Sequence, residues 1–416
     1  MLNRFFMLWD ESHLWGVMLW RALKDLNIPF TIIDSGLIKE GILQKNPPAG
    51  LLVPGGWSRL KSDNLGRKGL SMIREYIFSG GRYLGICGGA GLGLRSTSES
   101  PYLDFCSWTR KTIQVRLPNF SGHLRCRVAL PGWSRSRTDI FLPVWWPAQF
   151  EYHAEKPGQV DVLATYLEPG SDFWTADLPF SDLNNMDLSR WEGIYGINLD
   201  PDLLAEEPCI IHGRLGSGEY VLSYSHLETP GSVQANRLLA ELLYNWMNRE
   251  LPEEGMHKVF DWDLRAPDPV WDEDSLLAAR QGLEEIIELG RIHFLLYWRT
   301  PWLLGWRRGV PGGALNFLYA MISFALHQQP NEQALLYWKN KKREFKQDAV
   351  LFQMRLKDYM TKERLALALA PSSPESSSDL DLQKEKLELF GRFPGYGGLY
   401  ARLIRPLDRL LFLMGP

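Results

Sequence analysis

A cysteine, a histidine and a carboxylate, three residue types that cooperate in nucleophilic catalysis, follow apolar runs between residues 82 and 228. Cys87 comes directly after the run Arg82–Ile86, in the segment Tyr-Leu-Gly-Ile-Cys-Gly-Gly-Ala-Gly. Glycines two positions before and two positions after it leave room for the strained turn on which such nucleophiles sit. The glycine-rich start of a following helix, residues 88–94, would direct N–H groups and the positive helix end at the sulfur. Both stabilise a thiolate.

The same segment has other interpretations. A glycine-rich turn between a strand and a helix also occurs in phosphate-binding loops and as plain close packing. The glycines of residues 85–93 do not form a Gly-x-Gly-x-x-Gly series with an acidic residue at the usual distance, and no Lys-Ser or Lys-Thr closes a phosphate loop. Taken alone, the segment leaves the nucleophile and the tight packing turn equally open.

A thiol nucleophile needs a base that takes its proton and a third group that orients the base. His226 and Glu228 follow the apolar run 219–223. In an extended backbone, residues two apart point to the same side, so Glu228 can hold His226 in the tautomer that accepts the Cys87 proton. A lone His-x-Glu is more often a solvated surface pair, but its position after a late strand favours a triad of Cys87, His226 and Glu228.

A third element, Pro54-Gly55-Gly56-Trp57, follows the apolar run Leu51–Val53. Its simplest interpretation is an ordinary strand-to-helix turn. The functional interpretation is that backbone N–H groups of Gly56 and Gly88 face a developing oxyanion, an arrangement worth about 3 kcal/mol per donor. Gly55, Trp57 and His153 are candidate residues of the substrate pocket.

The elements that must position these residues alternate between strand and helix. Strands are predicted at Phe5–Leu8, Phe30–Ile33, Leu51–Val53 and Arg82–Ile86, and helices at residues 13–26, 65–79 and 232–248. Such alternation predicts a parallel sheet covered on both faces, with function at the carboxyl ends of the strands. Between residues 106 and 168, short Val, Ile, Trp and Tyr runs broken by Pro and Gly predict added antiparallel strands.

Three segments in order resemble the class I glutamine amidotransferase-like superfamily. They are Val-Pro-Gly-Gly (53–56), Gly-Gly-Arg-Tyr-Leu-Gly-Ile-Cys-Gly-Gly-Ala (80–90) and Gly-Arg-Leu-Gly-Ser-Gly-Glu-Tyr-Val-Leu-Ser-Tyr-Ser-His-Leu-Glu (213–228). More narrowly, the chain is similar to the amidotransferase-like domain at the N-terminus of biotin-protein ligases. The resemblance covers residues 1–250. It implies a flavodoxin-like, doubly wound, mainly parallel α/β fold and the triad Cys87, His226 and Glu228.

The resemblance and the residues together predict a Cys-dependent amidase or amidotransferase-like hydrolase that acts on an amide or acyl substrate. Biotin ligation itself is not expected, because neither an adenylate-binding Gly/Arg-rich loop nor a Lys-Trp-Pro-Asn-Asp-like segment follows residue 250. The alternative is a catalytically idle binding or regulatory module, which would contact a protein partner through residues 251–416.

Composition limits the other functions. The formal net charge is −3 and charged residues make up 23% of the chain, so no general attraction to nucleic acid is expected. Four cysteines without metal-ligand spacing indicate a reducing, cytoplasmic compartment, no disulfide framework and no metal site. No apolar run reaches the length of a membrane-spanning helix. No cofactor is predicted.

Residues 251–416 are predicted to form a mainly α-helical region. Residues 250–290 carry twelve acidic and three basic side chains, whereas residues 291–364 carry thirteen basic and five acidic ones. Residues 371–381, rich in Ser and Pro, predict a loop. Trp298, Trp302 and Trp306 recur every four residues, which predicts the packed edge of a helix, with a membrane-interface helix as the weaker alternative, although Pro301 interrupts any single helix.

Overall fold

The computed structural model describes residues 4–96, 101–111, 119–129, 138–152, 160–183, 186–252, 259–265, 269–307, 311–369, 378–392 and 397–415. The chain forms two compact units, Met1–Asp261 and Trp262–Gly415. The predicted division of the chain at residue 250 stays a prediction. Each unit is described by itself below.

Unit 1 contains strands and helices that alternate in its first part. The strands are β1 Phe5–Leu8, β2 Phe30–Ile33, β3 Leu51–Val53, β4 Arg82–Ile86, β5 Thr109–Arg110, β6 Phe120–Val128, β7 Thr138–Trp145, β8 Phe150–Glu151, β9 Val160–Pro169, β10 Trp174–Thr175, β11 Leu178–Pro179, β12 Pro208–Leu215 and β13 Gly218–Ser223. The helices are α1 His13–Asp25, α2 Ser35–Lys39, α3 Ile42–Lys45, α4 Ser58–Phe78, α5 Gly88–Gly93, α6 Leu188–Tyr195 and α7 Val233–Trp246, with 3₁₀ turns at Phe180–Leu183 and Pro201–Leu203.

One mixed sheet of eleven strands runs through the described part of unit 1. Its order is β11-β10-β6-β9-β12-β13-β4-β3-β1-β2, with β7 paired to β6. From β2 to β13 the neighbours are parallel, in the flavodoxin order 2-1-3-4-5 with β13 in fifth place. Beyond β13 the neighbouring strands are antiparallel: β13 pairs with β12, β12 with β9, and β9 with β6. The predicted flavodoxin-like α/β fold with antiparallel additions is therefore confirmed.

The parallel strands form because their residues are apolar on both faces. Every residue of β1 and β3 is buried, as expected for strands covered by helices on both sides. The register pairs Leu8 with Ile33, Val53 with Gly85, and Ser223 with Ile86. The carboxyl ends of these strands therefore lie along one edge of the sheet. The segments that follow them share that edge.

Helix α4 differs from its prediction. It begins at Ser58 rather than at residue 65, and a kink at Gly66, with φ +58°, separates two helical parts. The kink follows from glycine, which adopts this backbone conformation without steric cost. The N-terminal part of the helix was missed because Asp63, Asn64 and Gly66 weaken the helical pattern.

Unit 2 is mainly helical, as predicted. Its elements are α8 Asp274–Ile292, β14 Leu296–Thr300, β15 Leu303–Trp306, α9 Gly312–Leu326, α10 Glu332–Leu369, α11 Ser378–Phe390 and α12 Gly398–Met414. Two predictions are corrected. Residues 378–381 belong to α11 and not to the Ser/Pro-rich loop, because the apolar positions of the following segment, such as Leu382 and Leu389, are buried on one helix. Residues 371–377 lie outside the described residues.

The tryptophan series is the second correction. Trp298 lies in β14 and Trp306 in β15, two strands of an antiparallel hairpin, so no helix carries the series. Pro301 excludes a regular helix here, and the Thr300 hydroxyl accepts the Leu303 amide at 3.0 Å within the turn. Among the helices that the structure describes, none has both the length and the apolar character needed to cross a membrane.

Candidate active site

Cys87 occupies a strained turn between β4 and α5. Its backbone has φ +50° and ψ −105°, a conformation that residues with a side chain rarely adopt. The Cys87 amide donates to the Ser223 carbonyl at 2.7 Å, and the Cys87 carbonyl accepts from the Gly91 amide at 2.9 Å. These bonds hold the turn from both sides. The thiol is partly accessible, whereas the other three cysteines are buried.

The glycines beside Cys87 are required by close backbone approach. A Cβ atom on Gly85 would lie 2.5 Å from the Gly89 carbonyl oxygen, and one on Gly89 would lie 1.9 Å from the Val53 carbonyl oxygen. No side chain fits at either position without movement of the backbone. The glycine pattern that indicated an elbow in the sequence thus corresponds to an elbow that only glycines can flank.

His226 and Glu228 form a buried hydrogen-bonded pair on the segment after β13. The His226 Nδ1 and Glu228 Oε1 atoms are 2.7 Å apart, and both side chains are 0% exposed. The His226 amide donates to the Pro143 carbonyl at 2.9 Å, and the Thr229 hydroxyl donates to the His226 carbonyl at 2.8 Å. The ring is therefore fixed through one nitrogen and through its own backbone.

The second ring nitrogen of His226, Nε2, is buried and has no hydrogen bond of regular geometry with the described residues. Cys87 is nevertheless close enough to influence the ring. Burial disfavours the imidazolium, but the charge of Glu228 and hydrogen bonds with Cys87 and Glu228 outweigh it and raise the pKa of His226 to about 10. The ring is thus set to carry a proton at neutral pH.

Trp15, on α1, covers the His226 ring. The ring centroids are 4.4 Å apart with an interplanar angle of 38°. The same indole lies against Gly55, where a Cβ atom would come within 2.9 Å of Trp15 Cγ. Gly55 therefore takes part in packing the indole onto His226, and a larger residue there would displace it.

Gly56 and Gly88 lie against each other. A Cβ atom on Gly88 would be 1.9 Å from the Gly56 carbonyl oxygen, and one on Gly56, at φ +107°, would be 2.1 Å from the Glu11 carbonyl oxygen. Trp57 is half-buried and precedes the first residue of α4. The structure thus brings Gly55, Gly56 and Trp57 to the edge of the sheet that carries Cys87. His153 lies outside the described residues.

The turn between β1 and α1 is also part of this edge. Glu11 and His13 both have positive φ, and their side chains are joined by a 3.3 Å contact between Glu11 Oε2 and His13 Nε2. The ammonium of Lys61, which is fully buried, donates to the Asp10 carbonyl at 2.6 Å and to the Ser12 hydroxyl at 2.5 Å. An acidic run followed by a lone distant lysine carries no recognisable signal in the sequence.

Three buried hydroxyl groups of unit 1 have no hydrogen-bond partner of regular geometry among the described residues. They belong to Tyr166, Tyr224 and Ser225. Burial raises the pKa of both tyrosines, and the charge of Cys87 adds to the effect on each. For Tyr166 the thiols of Cys209 and Cys126 have a larger effect than that of Cys87, and a hydrogen bond with Ser225 lowers the pKa of Tyr166 against the effect of burial.

No protein-family model matches the sequence, and no curated protein matches it. Several solved structures are similar to it. A GMP synthase subunit from Thermoplasma acidophilum is 13% identical, with a TM-score of 0.37 over 60% of this chain and 94% of that one. PurLQS from Thermotoga maritima is 11% identical, with a TM-score of 0.38 over 60% of this chain and 98% of that one.

A glutamine amido transferase from Methylobacillus flagellatus is 15% identical, with a TM-score of 0.31 over 61% of this chain and 99% of that one. The structural neighbours therefore include glutamine amidotransferase proteins. They also include β-galactosidases. At these values the similarity carries no conclusion about what the chain does, and the function has to be argued from its own residues.

Proposed function

We propose that unit 1 is a Cys-dependent amidase or amidotransferase-like hydrolase. Cys87 is the nucleophile, and His226 takes up and donates the proton during the reaction. Glu228 orients the His226 ring and favours its protonated form. The observation that carries the proposal is the strained backbone of Cys87 beside a fully buried His226–Glu228 pair. Strain of this kind persists only where the surrounding structure enforces it, and it concentrates at functional sites.

The charge distribution suits acyl transfer by a thiolate. An imidazolium next to a thiol stabilises the thiolate, and the thiolate is the form that attacks. The sulfur of Cys87 forms a bond with the acyl carbon, and the carbonyl oxygen gains the negative charge. His226 then donates its proton to the departing amine, and a thioester with Cys87 remains. Water, deprotonated by His226, hydrolyses the thioester and releases the acid.

The Gly56 and Gly88 amides are proposed to stabilise the oxyanion. Gly88 is the first residue of α5, where an amide has no partner within its own helix, and Gly56 is packed against it. Donors of this type contribute about 3 kcal/mol each to the transition state. Gly55, Trp57 and His153 remain proposed pocket residues, and the Tyr166 and Ser225 hydroxyls are added to them.

Turnover is measured with a panel of primary amides, including glutamine, and the full-length chain. Cys87→Ala is expected to abolish turnover without loss of fold, whereas Cys106→Ala, which alters a buried thiol, is the matched control. A proposal of catalysis fails if the folded Cys87→Ala variant retains full activity.

The reactivity of the thiol gives a test that needs no substrate. Burial alone slows the alkylation of Cys106, Cys126 and Cys209, so the informative quantity is how the Cys87 rate depends on His226. We expect His226→Gln to lower the rate of Cys87 alkylation by iodoacetamide about tenfold at pH 7, because the thiolate loses its imidazolium. An unchanged rate would contradict an activated thiol and favour the idle binding module, with residues 251–416 as the partner-binding region. The closer kinship with the N-terminal domain of biotin-protein ligases stays part of the proposal.

A further inference from the structure

A second constellation of chemically active side chains lies in unit 1, apart from Cys87. It joins Ser232, which precedes α7, His123 in β6, and Asp172 in the turn after β9. The Ser232 Oγ atom is 2.9 Å from His123 Nε2, and His123 Nδ1 is 2.7 Å from Asp172 Oδ2. Both ring nitrogens are therefore engaged, in the order hydroxyl, imidazole, carboxylate. This order and these distances are those of a serine nucleophile with its base.

The direction of the hydrogen bonds fits that role. Partial burial works against ionisation of Asp172, but hydrogen bonds from the His123 side chain and backbone outweigh it and lower the pKa of the carboxyl group. An ionised Asp172 accepts the proton of Nδ1, which leaves Nε2 as the acceptor of the neutral ring. The Ser232 hydroxyl then donates to Nε2. Proton transfer from the hydroxyl to the ring needs no rearrangement.

Asp172 is placed by the backbone as well as by its carboxylate. The His123 amide donates to Asp172 Oδ1 at 3.0 Å, so one carboxylate binds the ring and the main chain of the same histidine. Gly122 makes this approach possible, because at φ +123° a Cβ atom would lie 2.6 Å from the Asp172 carbonyl oxygen. The carboxylate therefore fixes the orientation of the imidazole.

Ser232 departs from the ordinary behaviour of a serine at this place. It stands at the N-cap of α7, a helix of 14 residues, yet its hydroxyl caps no amide of that helix. Serine at an N-cap usually accepts a hydrogen bond from one of the first helical amides. Here the hydroxyl is directed to His123 instead, and the first amide of α7, that of Val233, donates to the Gly231 carbonyl at 3.1 Å.

The cluster is open to solvent on one side. The side chains of His123 and Asp172 are 25% and 52% exposed, whereas Ser232 itself is buried, with 6% of its surface exposed. Asp172 gives the rim a negative charge, whereas the charge of Asp261, beside Gly231, is opposed by that of Arg21. An open rim with this charge suits a neutral or cationic ester better than an anionic one.

We propose that Ser232, His123 and Asp172 form a second, serine-dependent acyl-transfer site that cleaves small carboxylic esters. The Ser232 oxygen bonds to the acyl carbon while its proton passes to His123 Nε2. His123 then protonates the departing alcohol. Water, deprotonated by His123, releases the acid and restores Ser232. Ser232 and His123 contact the reacting atoms, and Asp172 acts as a positioning residue.

The test uses a neutral fluorophosphonate probe on the full-length protein, with mass spectrometry to locate the label. Ser232 Oγ displaces fluoride from phosphorus, and His123 takes the proton. We expect label on Ser232 in the wild-type chain and in Cys87→Ala, but none at this place in Ser232→Ala. Ser217, exposed in the turn between β12 and β13, is the control site, and Ser217→Ala leaves the labelling of Ser232 unchanged. Labelling that survives in Cys87→Ala separates this site from the cysteine site.

The role of Asp172 is tested by the rate of labelling in two variants. Asp172→Asn is expected to lower the rate about tenfold, because the ring loses the acceptor that fixes its tautomer, and Asp172→Glu is expected to restore part of the rate. If Asp172 only held the fold together, the labelling rates of the folded variants would equal that of the wild type. If folded wild-type protein carries no label on Ser232, or no more than on Ser217, the inference is wrong, and the cluster is a hydrogen-bonded connection between β6 and α7.

Discussion

The two histidine–carboxylate pairs of unit 1 that are proposed to act in catalysis differ most in their surroundings. His226 and Glu228 are completely buried on one short segment, whereas His123 and Asp172 are partly exposed and come from different segments. Burial strengthens the electrostatic coupling of the first pair, because water cannot screen it. In the second pair the coupling is weakened by solvent. Equal distances of 2.7 Å therefore correspond to interactions of different strength.

The two proposed nucleophiles differ in the backbone strain that they carry. Cys87 is held at φ +50° between flanking glycines whose Cβ atoms would collide with backbone. Ser232 has φ −84° and ψ 74° and stores no comparable strain. The cysteine site thus depends on the surrounding fold for its geometry, and the serine site depends mainly on side-chain hydrogen bonds. Variants can separate these two modes of construction.

The largest effect is expected when the histidine of either site is replaced by alanine. His226→Ala should lower amide turnover by about 10³-fold or more, since members of a catalytic triad act as a unit. The same variant should leave fluorophosphonate labelling of Ser232 within about twofold of wild type, because the two sites share no catalytic group. His123→Ala should show the opposite pattern. If one substitution abolished both activities in folded protein, the two sites would not be independent.

Of the two sites, only the cysteine site could be predicted from the sequence. The strands β1 to β4 are continuous apolar runs, and their predicted bounds agree with the structure. Cys87 was recognisable because the glycines that its turn needs are adjacent in the chain, and His226 and Glu228 are two residues apart. Local spacing was sufficient for these residues, although their catalytic roles remain a proposal.

The remaining features depend on tertiary placement. Ser232, His123 and Asp172 are far apart in the sequence and meet only because β6, the turn after β9 and the start of α7 come together. Trp15 reaches His226 through the packing of α1, which periodicity cannot give. The error at Trp298 has a different cause: spacing by four suggested a helix, although Pro301 divides the segment into the two strands of a hairpin.

A smaller but clear effect is expected at the backbone of the cysteine site. Gly88→Ala should destabilise the protein by about 2 kcal/mol or more and suppress Cys87 alkylation, because the new Cβ atom would lie 1.9 Å from the Gly56 carbonyl oxygen. Gly91→Ala is the matched control in the same helix. Its Cβ atom meets only the Ser58 side chain, with the hydroxyl oxygen at 3.3 Å. Denaturant unfolding and the rate of Cys87 alkylation distinguish the two variants. Equal stabilities and equal rates would contradict the close contact between Gly56 and Gly88.

The buried pair should also make stability depend on alkaline pH. The pKa of His226 in the folded state is raised to about 10, above the ordinary value of 6.5. Its contribution to the free energy of unfolding is therefore complete below pH 6.5 and is lost as the pH rises through 10. In Glu228→Gln the partner charge is absent, so the loss between these pH values should be smaller by on the order of a few kcal/mol.

Denaturant unfolding of both proteins at about pH 6, 8 and 10 measures this difference. The variant should be least stable relative to wild type at about pH 6 and should approach it at about pH 10, since deprotonated His226 no longer gains from Glu228. Parallel curves across the range would show that Glu228 does not hold a proton on His226. His226→Gln serves as the control, because it removes the titrating group and should flatten the same interval.

The smallest effect is expected at Asp172. Here the contribution to stability is lost as the pH falls, whereas that of His226 is lost as the pH rises. The pKa of Asp172 is lowered in the folded state, so its stabilising contribution is present above the ordinary value of 3.8 and is lost as the pH falls through the folded value. Because the carboxylate is half-exposed, Asp172→Asn should cost no more than about 1 kcal/mol at pH 7. Unfolding of wild type and variant at about pH 7, 5 and 3 should give curves that converge towards acid. If Asp172→Asn at pH 7 lowered the free energy of unfolding as much as Glu228→Gln does at pH 6, solvent would not weaken the interaction of His123 with Asp172. The difference between the two sites would then rest on the backbone strain at Cys87 alone.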